Sequence, residues 1–484
     1  MIIKKIEFPL KDFFIKVFKK NIYLVGGTIR DYLLYKKINP DQDVDLVVVD
    51  HSYDDIEKKL SRYGKTSTVG KSFAVVKFTR EGHSFDISIP RRDVKKEESS
   101  HSHKNFIIEF GSHIKLEEDL HRRDFTCNSM AMRLIDNKLV DPFNGVKAIK
   151  GKKIVMTGPD TFFDDPLRIL RCARFSSVHR FSIDPAIYVQ SKAVELDELS
   201  KERIQEELVR ILLESDRPSL GLNEYFKLAV LEKIFPSLFR LTMTIQDSIF
   251  HPERDEYGHH SVWAHTLITI DVARKVSSLF ELDIENTLAL LLAALLHDVG
   301  KPATTKWEFK RNRMTVTSLL HDSRGVKIAE TFLAELKIET RSGFPLKNTV
   351  LALIKNHHRI YDLYRNREEI GFKAISRIVK DLDGYDFLLA LLDFSDRQSR
   401  RSRPLSFNRL DRVAKWFLEK KDELNISRES IKPLVRGRDL LDLGIPPGKN
   451  MGELLKKLYE LQLDGDFNTR EDGLLLFENL HIKK

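Results

Sequence analysis

Asp43 and Asp45 stand one residue apart at the head of the apolar run Leu46-Val47-Val48-Val49. In an extended strand, residues two apart point to the same face, so this spacing brings both carboxylates together. Two like charges that close are costly unless a cation lies between them. Mg2+ fits that place, because it binds carboxylate and phosphate oxygens at once and supports nucleotidyl transfer. Asp86, in Phe85-Asp86-Ile87, is a candidate third carboxylate from a later strand. Upstream, Leu24-Val25-Gly26-Gly27-Thr28-Ile29-Arg30-Asp31 reads as strand, turn and helix start. Glycines let backbone amides approach a phosphate, and a helix N-terminus favours negative charge.

Two further clusters suit a nucleotide. Arg122-Arg123-Asp124-Phe125-Thr126-Cys127-Asn128 joins two guanidinium forks, which match triphosphate oxygens, to an Asp and an Asn that can take ribose hydroxyls. Asp164-Asp165-Pro166-Leu167-Arg168 places an acidic cap and a proline at a helix start, with Asp165 and Arg168 three apart on one face. A carboxylate only accepts and a guanidinium only donates. Together they complement the base edge of cytosine or adenine, an amine beside a ring-nitrogen acceptor, and not that of uracil or guanine. Spacing alone equally allows a plain i,i+3 ion pair.

A second set lies far downstream: His265, the adjacent His297-Asp298 closing an apolar helix (Ala293-Ala294-Leu295-Leu296), and Asp396. Imidazole and carboxylate in this order can converge on one divalent transition metal.

The elements needed to position these residues divide the chain. Short β-rich runs at Ile22–Val25, Val44–Val49, Phe73–Phe78 and Ser84–Ile89 read as strands, with a helix at Thr28–Lys36. The polar stretch Arg91–Phe106 has no periodicity and reads as a loop. From about residue 160 the signal is helical, at Pro166–Val178, Lys201–Leu213, Asn286–Leu296 and Leu351–His357. Arg397–Pro404 reads as a basic connection before a last helical unit. The expected fold class is α+β: a small head (1–150), a helical neck (151–215), a helical body (216–403) and a helical tail (404–484).

With 484 residues the chain exceeds one compact core. Its 81 Lys+Arg against 72 Asp+Glu, a net +9, suits a polyanionic partner or a charge-rich solvated surface. The sequence has no apolar run long enough for a membrane span, and the N-terminus lacks a secretory pattern. Two cysteines, Cys127 and Cys172, exclude a disulfide scaffold and fit a cytoplasmic protein.

In order, LVGGTIRDYLL, DVDLVVV, GKSF, FDISIPR, LEEDLHRRDFTCNSMA, DPFNG, DDPLRILRCARF and KERIQEEL resemble the class II tRNA nucleotidyltransferase and bacterial poly(A) polymerase family over residues 22–213. The resemblance implies a polymerase-β-like head in which Asp43 and Asp45 hold Mg2+. Gly26, Gly27, Arg30, Arg122, Arg123, Asp124 and Asn128 would bind nucleotide, Asp165 with Arg168 would read the base, and Arg171 and Arg174 would extend the site. The implied partners are tRNA, CTP and ATP. Where the family usually writes Glu-Asp-x-x-Arg this chain has Asp164-Asp165, and Met156 stands where Arg is frequent. The second cluster resembles the HD phosphohydrolases, which adds His321 and His357 as further ligands. The segment Lys432–Gly448 resembles the tail of HD-bearing CCA-adding enzymes, with Arg436, Arg438 and Lys449 available to RNA phosphate. CCA addition, A-only addition and polyadenylation all stay open, as does a phosphohydrolase with an RNA-binding head.

Overall fold

The computed structural model describes residues 6–36, 44–69, 75–95, 106–310, 312–400, 409–429 and 431–481. Asp43 and the Gly70–Phe73 motif lie outside that set. The chain divides into two compact units, residues 1–211 with 220–234 and residues 212–219 with 235–484.

The first unit is built on strands β1 (Ile22–Val25), β2 (Val44–Val48), β3 (Lys65–Val69), β4 (Val75–Arg80) and β5 (His83–Ser88). A hairpin of β6 (Arg91–Lys95) and β7 (Phe106–Phe110) follows, then β8 (Ala131–Arg133) and β9 (Leu139–Val140). Seven strands form one sheet in the order β3-β4-β5-β2-β1-β8-β9, in which β2 and β5 run parallel. In β2, Val44, Leu46, Val47 and Val48 are buried and only Asp45 is exposed. Apolar side chains on both faces hold the strand in place, and its one carboxylate is left at the surface. The hairpin corrects the loop expected at Arg91–Phe106: Arg91–Lys95 pair in antiparallel register with Phe106–Phe110. The β-branched and aromatic residues of the return strand, Phe106-Ile107-Ile108-Glu109-Phe110, supply the partner that the polar first strand does not advertise.

The turn after β1 leads into helix α1 (Gly27–Tyr35). Gly26 sits at φ +71, and a Cβ there would lie 2.8 Å from Arg123 Nη1 and 3.7 Å from Asp45 Oδ2. Only glycine supplies both the left-handed turn and the clearance. Helix α2 (Leu116–His121) buries Leu116 and Leu120 against Val25, Val47 and Ala131. Helix α3 (Leu167–His179) begins one residue later than expected, with Pro166 in the cap position and no side-chain cap. Asp165 instead accepts from the Leu167 amide at 3.3 Å. Helix α4 (Lys201–Glu214) completes the elements that bear on the site.

The second unit is helical. Helices α5 (Val262–Leu279) and α6 (Ile284–Leu296) are capped by the Ser261 and Asp283 side chains, which accept from the Ala264 and Asn286 amides. A two-stranded ribbon, Thr305–Lys310 with Arg313–Ser318, leads into α7 (His321–Glu335), followed by α8 (Leu346–Asn356) and α9 (Asp386–Ser399). The connection expected at Arg397–Pro404 begins later than foreseen: Arg397 lies within α9, paired with Asp393 and Asp411. In the tail, helices Gly437–Asp442, Lys449–Asp464 and Arg470–His481 pack around Val435, Leu440, Leu458 and Phe477.

Candidate active site and metal centre

In the first unit, β2 and β5 set Asp45 directly opposite Asp86 in parallel register. Directly paired residues of neighbouring strands share a face, so the third carboxylate proposed from sequence does stand beside Asp45. Asp43, two residues before Asp45, lies outside the described residues.

Beside Asp45 is a cavity of about 460 Å³ lined by nine arginines and three aspartates. The wall contains Gly26, Gly27, Arg30, Asp45, Arg122 and Arg123 from the head motifs. It also contains Asp124, Asn128, Asp165, Arg168, Arg171 and Arg174, so the sequence-derived nucleotide residues are brought together. Arg91, Arg203 and Arg210 line it as well, none of which the residue types alone had singled out. So many guanidiniums beside so few carboxylates make a site for a polyanion. Arg91 Nε and Arg123 Nε are buried donors with no hydrogen-bond partner among the described residues. Phosphate oxygens would satisfy them.

Buried acids hold the arginines in place. Asp119 in α2 is fully buried; it accepts from Arg122 at 2.7 Å and Arg123 at 3.2 Å, and also from the Arg91 amide at 3.3 Å. Burial alone would raise its carboxyl, but the two guanidiniums outweigh that and lower it. Burial also lowers Arg122 to about 10. Asp124 takes Arg171 at 2.8 Å and the Asn128 amide at 2.8 Å. Burial opposes its ionisation, yet Arg171 and Asn128 bring its carboxyl down to about 2. Asn128 in turn accepts from Arg30 at 2.8 Å, and Glu207 of α4 holds Arg174 at 2.7 Å.

Asp165 and Arg168 share the cavity but do not form a close pair, their nearest charged atoms being 4.0 Å apart. Arg168 donates to the carbonyls of Thr161 at 3.0 Å and Arg122 at 2.5 Å, and Arg203 reaches both oxygens of Asp165 at 3.1 and 3.2 Å. The i,i+3 ion pair that spacing suggested is therefore replaced by two separately anchored groups, one acceptor and one donor.

In the second unit, His265 and His297, brought in by α5 and by the end of α6, meet Asp298 and Asp396. His265 Nε2 lies 2.9 Å from Asp396 Oδ1, and His297 Nε2 is 3.3 Å from Asp298 Oδ2 and 3.3 Å from His265 Nε2. The His297 Nδ1 contacts the Ala294 carbonyl at 2.9 Å, so Nδ1 donates there and Nε2 is the atom turned towards Asp298 and His265. His265 Nδ1 lies 2.8 Å from Glu253, an acid whose carboxyl burial would raise but which His251 and His265 hold at about 2. Lys301 Nζ stands 2.7 Å from Asp298 and donates to Gln246 at 2.7 Å. His321 and His357 also reach this centre, His321 Nε2 lying 3.3 Å from Asp298 Oδ1 and 3.3 Å from His357 Nε2. The next residue, His358, which the sequence reading did not include, joins them with its Nε2 at 3.0 Å from His321. The centre depends on Gly300, since a Cβ there would fall 2.0 Å from the His321 carbonyl oxygen.

Two carboxylates on neighbouring strands beside a cavity of arginines, on a sheet of this topology, define a nucleotidyltransferase head, and the helical unit adds an HD-type cluster of histidines and aspartates. Three family models agree: the poly A polymerase head domain over residues 22–155, the "Probable RNA and SrmB- binding site of polymerase A" over 181–241, and the HD domain over 262–388. The multifunctional CCA protein of Cupriavidus metallidurans is 31% identical over 75% of this chain and 80% of its own length. Two solved structures share the fold. The CCA-adding enzyme of Thermotoga maritima, complexed with tRNA, has a TM-score of 0.57 at 20% identity, covering 99% of this chain and 97% of its own. That of Bacillus stearothermophilus, in complex with CTP, has a TM-score of 0.58 at 19% identity, covering 99% of both chains. The chain belongs to the family of the multifunctional CCA proteins, nucleotidyltransferases that carry an HD domain. Among the described residues no helix is long and apolar enough to cross a membrane.

Proposed function

We propose that this chain adds C, C and A, from CTP and ATP, to the 3′ end of tRNA without a nucleic-acid template. The observation that carries the reading is the arginine-lined cavity beside Gly26-Gly27 and the Asp45–Asp86 pair. Asp43 and Asp45, with Asp86 alongside, are the oxygen donors for Mg2+, and that all-carboxylate set suits a hard cation. When bound, Mg2+ neutralises charge on the transferring phosphoryl group. Arg122 and Arg123, set by Asp119, take the triphosphate, with the Gly26-Gly27 turn admitting its backbone contacts. Asp124 and Asn128 bind ribose, and Arg30, Arg171 and Arg174 brace the floor of the site. Asp165 accepts from the exocyclic amine of cytosine or adenine while Arg168 donates to the ring nitrogen. An anchored acceptor and donor left unmatched by uracil or guanine would exclude them strongly.

The His-rich centre supports a second activity in the same chain, divalent transition-metal-dependent phosphoester hydrolysis, in which His265, His297, Asp298 and Asp396 would hold the ion. Both cysteines are free and buried, which suits a reducing cytoplasm. The test of the main reading supplies tRNA lacking one, two or three terminal nucleotides with each triphosphate singly. Incorporation of only CTP on the two shorter substrates, and only ATP on the longest, is expected. ATP alone accepted on every substrate would replace the reading with A-addition or polyadenylation.

A further inference from the structure

The two-stranded ribbon of the second unit leaves large apolar side chains bare. In Thr305–Lys310, Trp307 and Phe309 lie two apart on one face, and their register partners on the return strand are Val316 and Met314. Trp307 is 59% exposed, Phe309 69% and Met314 53%. Large apolar side chains that share a face and stay in water mark a surface that another molecule covers.

The other face of the ribbon is cationic. Lys306, Glu308 and Thr317 line a cavity of about 610 Å³ whose further wall includes Leu319, Arg324 and Lys327. Arg324 and Lys327 lie three apart on α7, and so on one side of that helix. The one acid of the cavity, Glu308, is already paired with Lys310 and accepts from Thr317 at 3.0 Å. Lys306, Arg324 and Lys327 make no ion pair among the described residues.

The return strand is held at Asp247, which takes Arg313 at 2.9 Å. With only two strands in the sheet, Thr305–Lys310 keeps one edge without a strand partner. Along that edge the residues alternate, the two rings to one side and Lys306 to the other. An apolar protein surface would gain little from the unpaired cations, and an acidic one little from the bare rings. A nucleic-acid strand offers base faces to the rings and phosphates to the cations. It must be unpaired, because bases within a duplex are stacked on one another and have no free face.

We propose that this ribbon grips an unpaired RNA strand, with bases stacked on Trp307 and Phe309 and backbone phosphates at Lys306, Arg324 and Lys327. The contact reads no sequence, since every base has a face to stack. The inference rests on the reading that the chain works on RNA, and it adds a holding surface that the chemistry of the head does not use.

The test uses the full chain carrying Asp45→Ala, so that binding is read where nucleotide addition is disabled, and a fluorescein-labelled oligouridine of about twelve nucleotides as probe. Fluorescence anisotropy should show binding that weakens with salt. In this background, with unchanged circular dichroism, Trp307→Ala and Phe309→Ala should each lower the affinity roughly tenfold. Arg324→Ala with Lys327→Ala should lower it and flatten the salt dependence. Stacking should quench the indole emission of the parent, and Trp307→Phe should lose that quenching while keeping its affinity within about threefold. Oligouridine affinity that neither ring substitution changes would overturn the proposal, as would no binding at all. A parent dimer that Trp307→Ala converts to monomer, with RNA affinity unchanged, would give the face to a second copy instead. Ring-dependent binding in a chain whose wild type fails to add C-C-A would sink the proposed function and leave this surface standing.

Discussion

Asp45 on β2 and Asp86 on β5 are direct register partners across the one parallel strand pair of the described head sheet. Neither is a core residue, Asp45 being exposed and Asp86 half-buried, so packing does not require a carboxylate at either position. Asp86→Asn keeps the shape and removes the charge. The Mg2+ concentration for half-maximal CTP incorporation should then rise by roughly tenfold or more. An unchanged Mg2+ dependence would mean that Asp86 is only a neighbour.

Arg203 anchors Asp165 through both carboxylate oxygens, so the proposed base reading by Asp165 depends on a residue that touches the reader and not the base. Arg203→Ala should lower discrimination of CTP over UTP by roughly tenfold, and Arg168→Ala by roughly a hundredfold, because an unmatched polar edge is then tolerated. Single-turnover competition between the two triphosphates measures both. Equal selectivity in all three proteins would move base reading elsewhere.

Asp119 makes no direct contribution to chemistry in this account; it positions Arg122, Arg123 and the Arg91 backbone. Removing a buried partner leaves charges uncompensated, at about 3 kcal/mol. Asp119→Asn should therefore lower stability in urea by that order. In the folded fraction it should raise the KM for triphosphate more than it lowers kcat. A stability loss with an unchanged KM would assign Asp119 to the fold alone.

Asp124 gives a pH signature. Its folded carboxyl sits at about 2, against about 3.9 in an unfolded chain. A depressed folded value contributes stability that is fully present above pH 4 and is lost as pH falls through about 2. The contribution is roughly 2–3 kcal/mol. The Tm difference between wild type and Asp124→Asn should stay constant from pH 8 to 5 and shrink below pH 4. A difference that narrows already between pH 7 and 5 would contradict the assignment.

Much of this was legible in the sequence because the site is written in short local runs. Gly26-Gly27, Arg122–Asn128 and Asp165–Arg168 each lie within one turn or helix start, where spacing fixes which side chains share a face. What escaped depends on long-range packing. Asp119 looks like an ordinary charge on a polar helix until α2 is seen to bury it. Arg203 is half-exposed on α4 and becomes relevant only because that helix carries it to Asp165, thirty-eight positions away in sequence. His358 adjoins a residue already suspected, but nothing in its spacing shows that its Nε2 comes within 3.0 Å of that of His321. The β6–β7 hairpin was missed because its first strand is charged and its partner lies beyond a polar stretch.

The proposed activity of the arginine-lined head cavity is to build a fixed C-C-A end without a template. Its most direct test is sequencing the 3′ ends of a tRNA that lacks its last three nucleotides, after incubation with the full chain, Mg2+ and all four triphosphates. Ends extended by C-C-A and then halted are predicted, with no extension by Asp45→Ala. Runs of A, arrest after C-C, or C-C-A ends that persist in Asp45→Ala would contradict it.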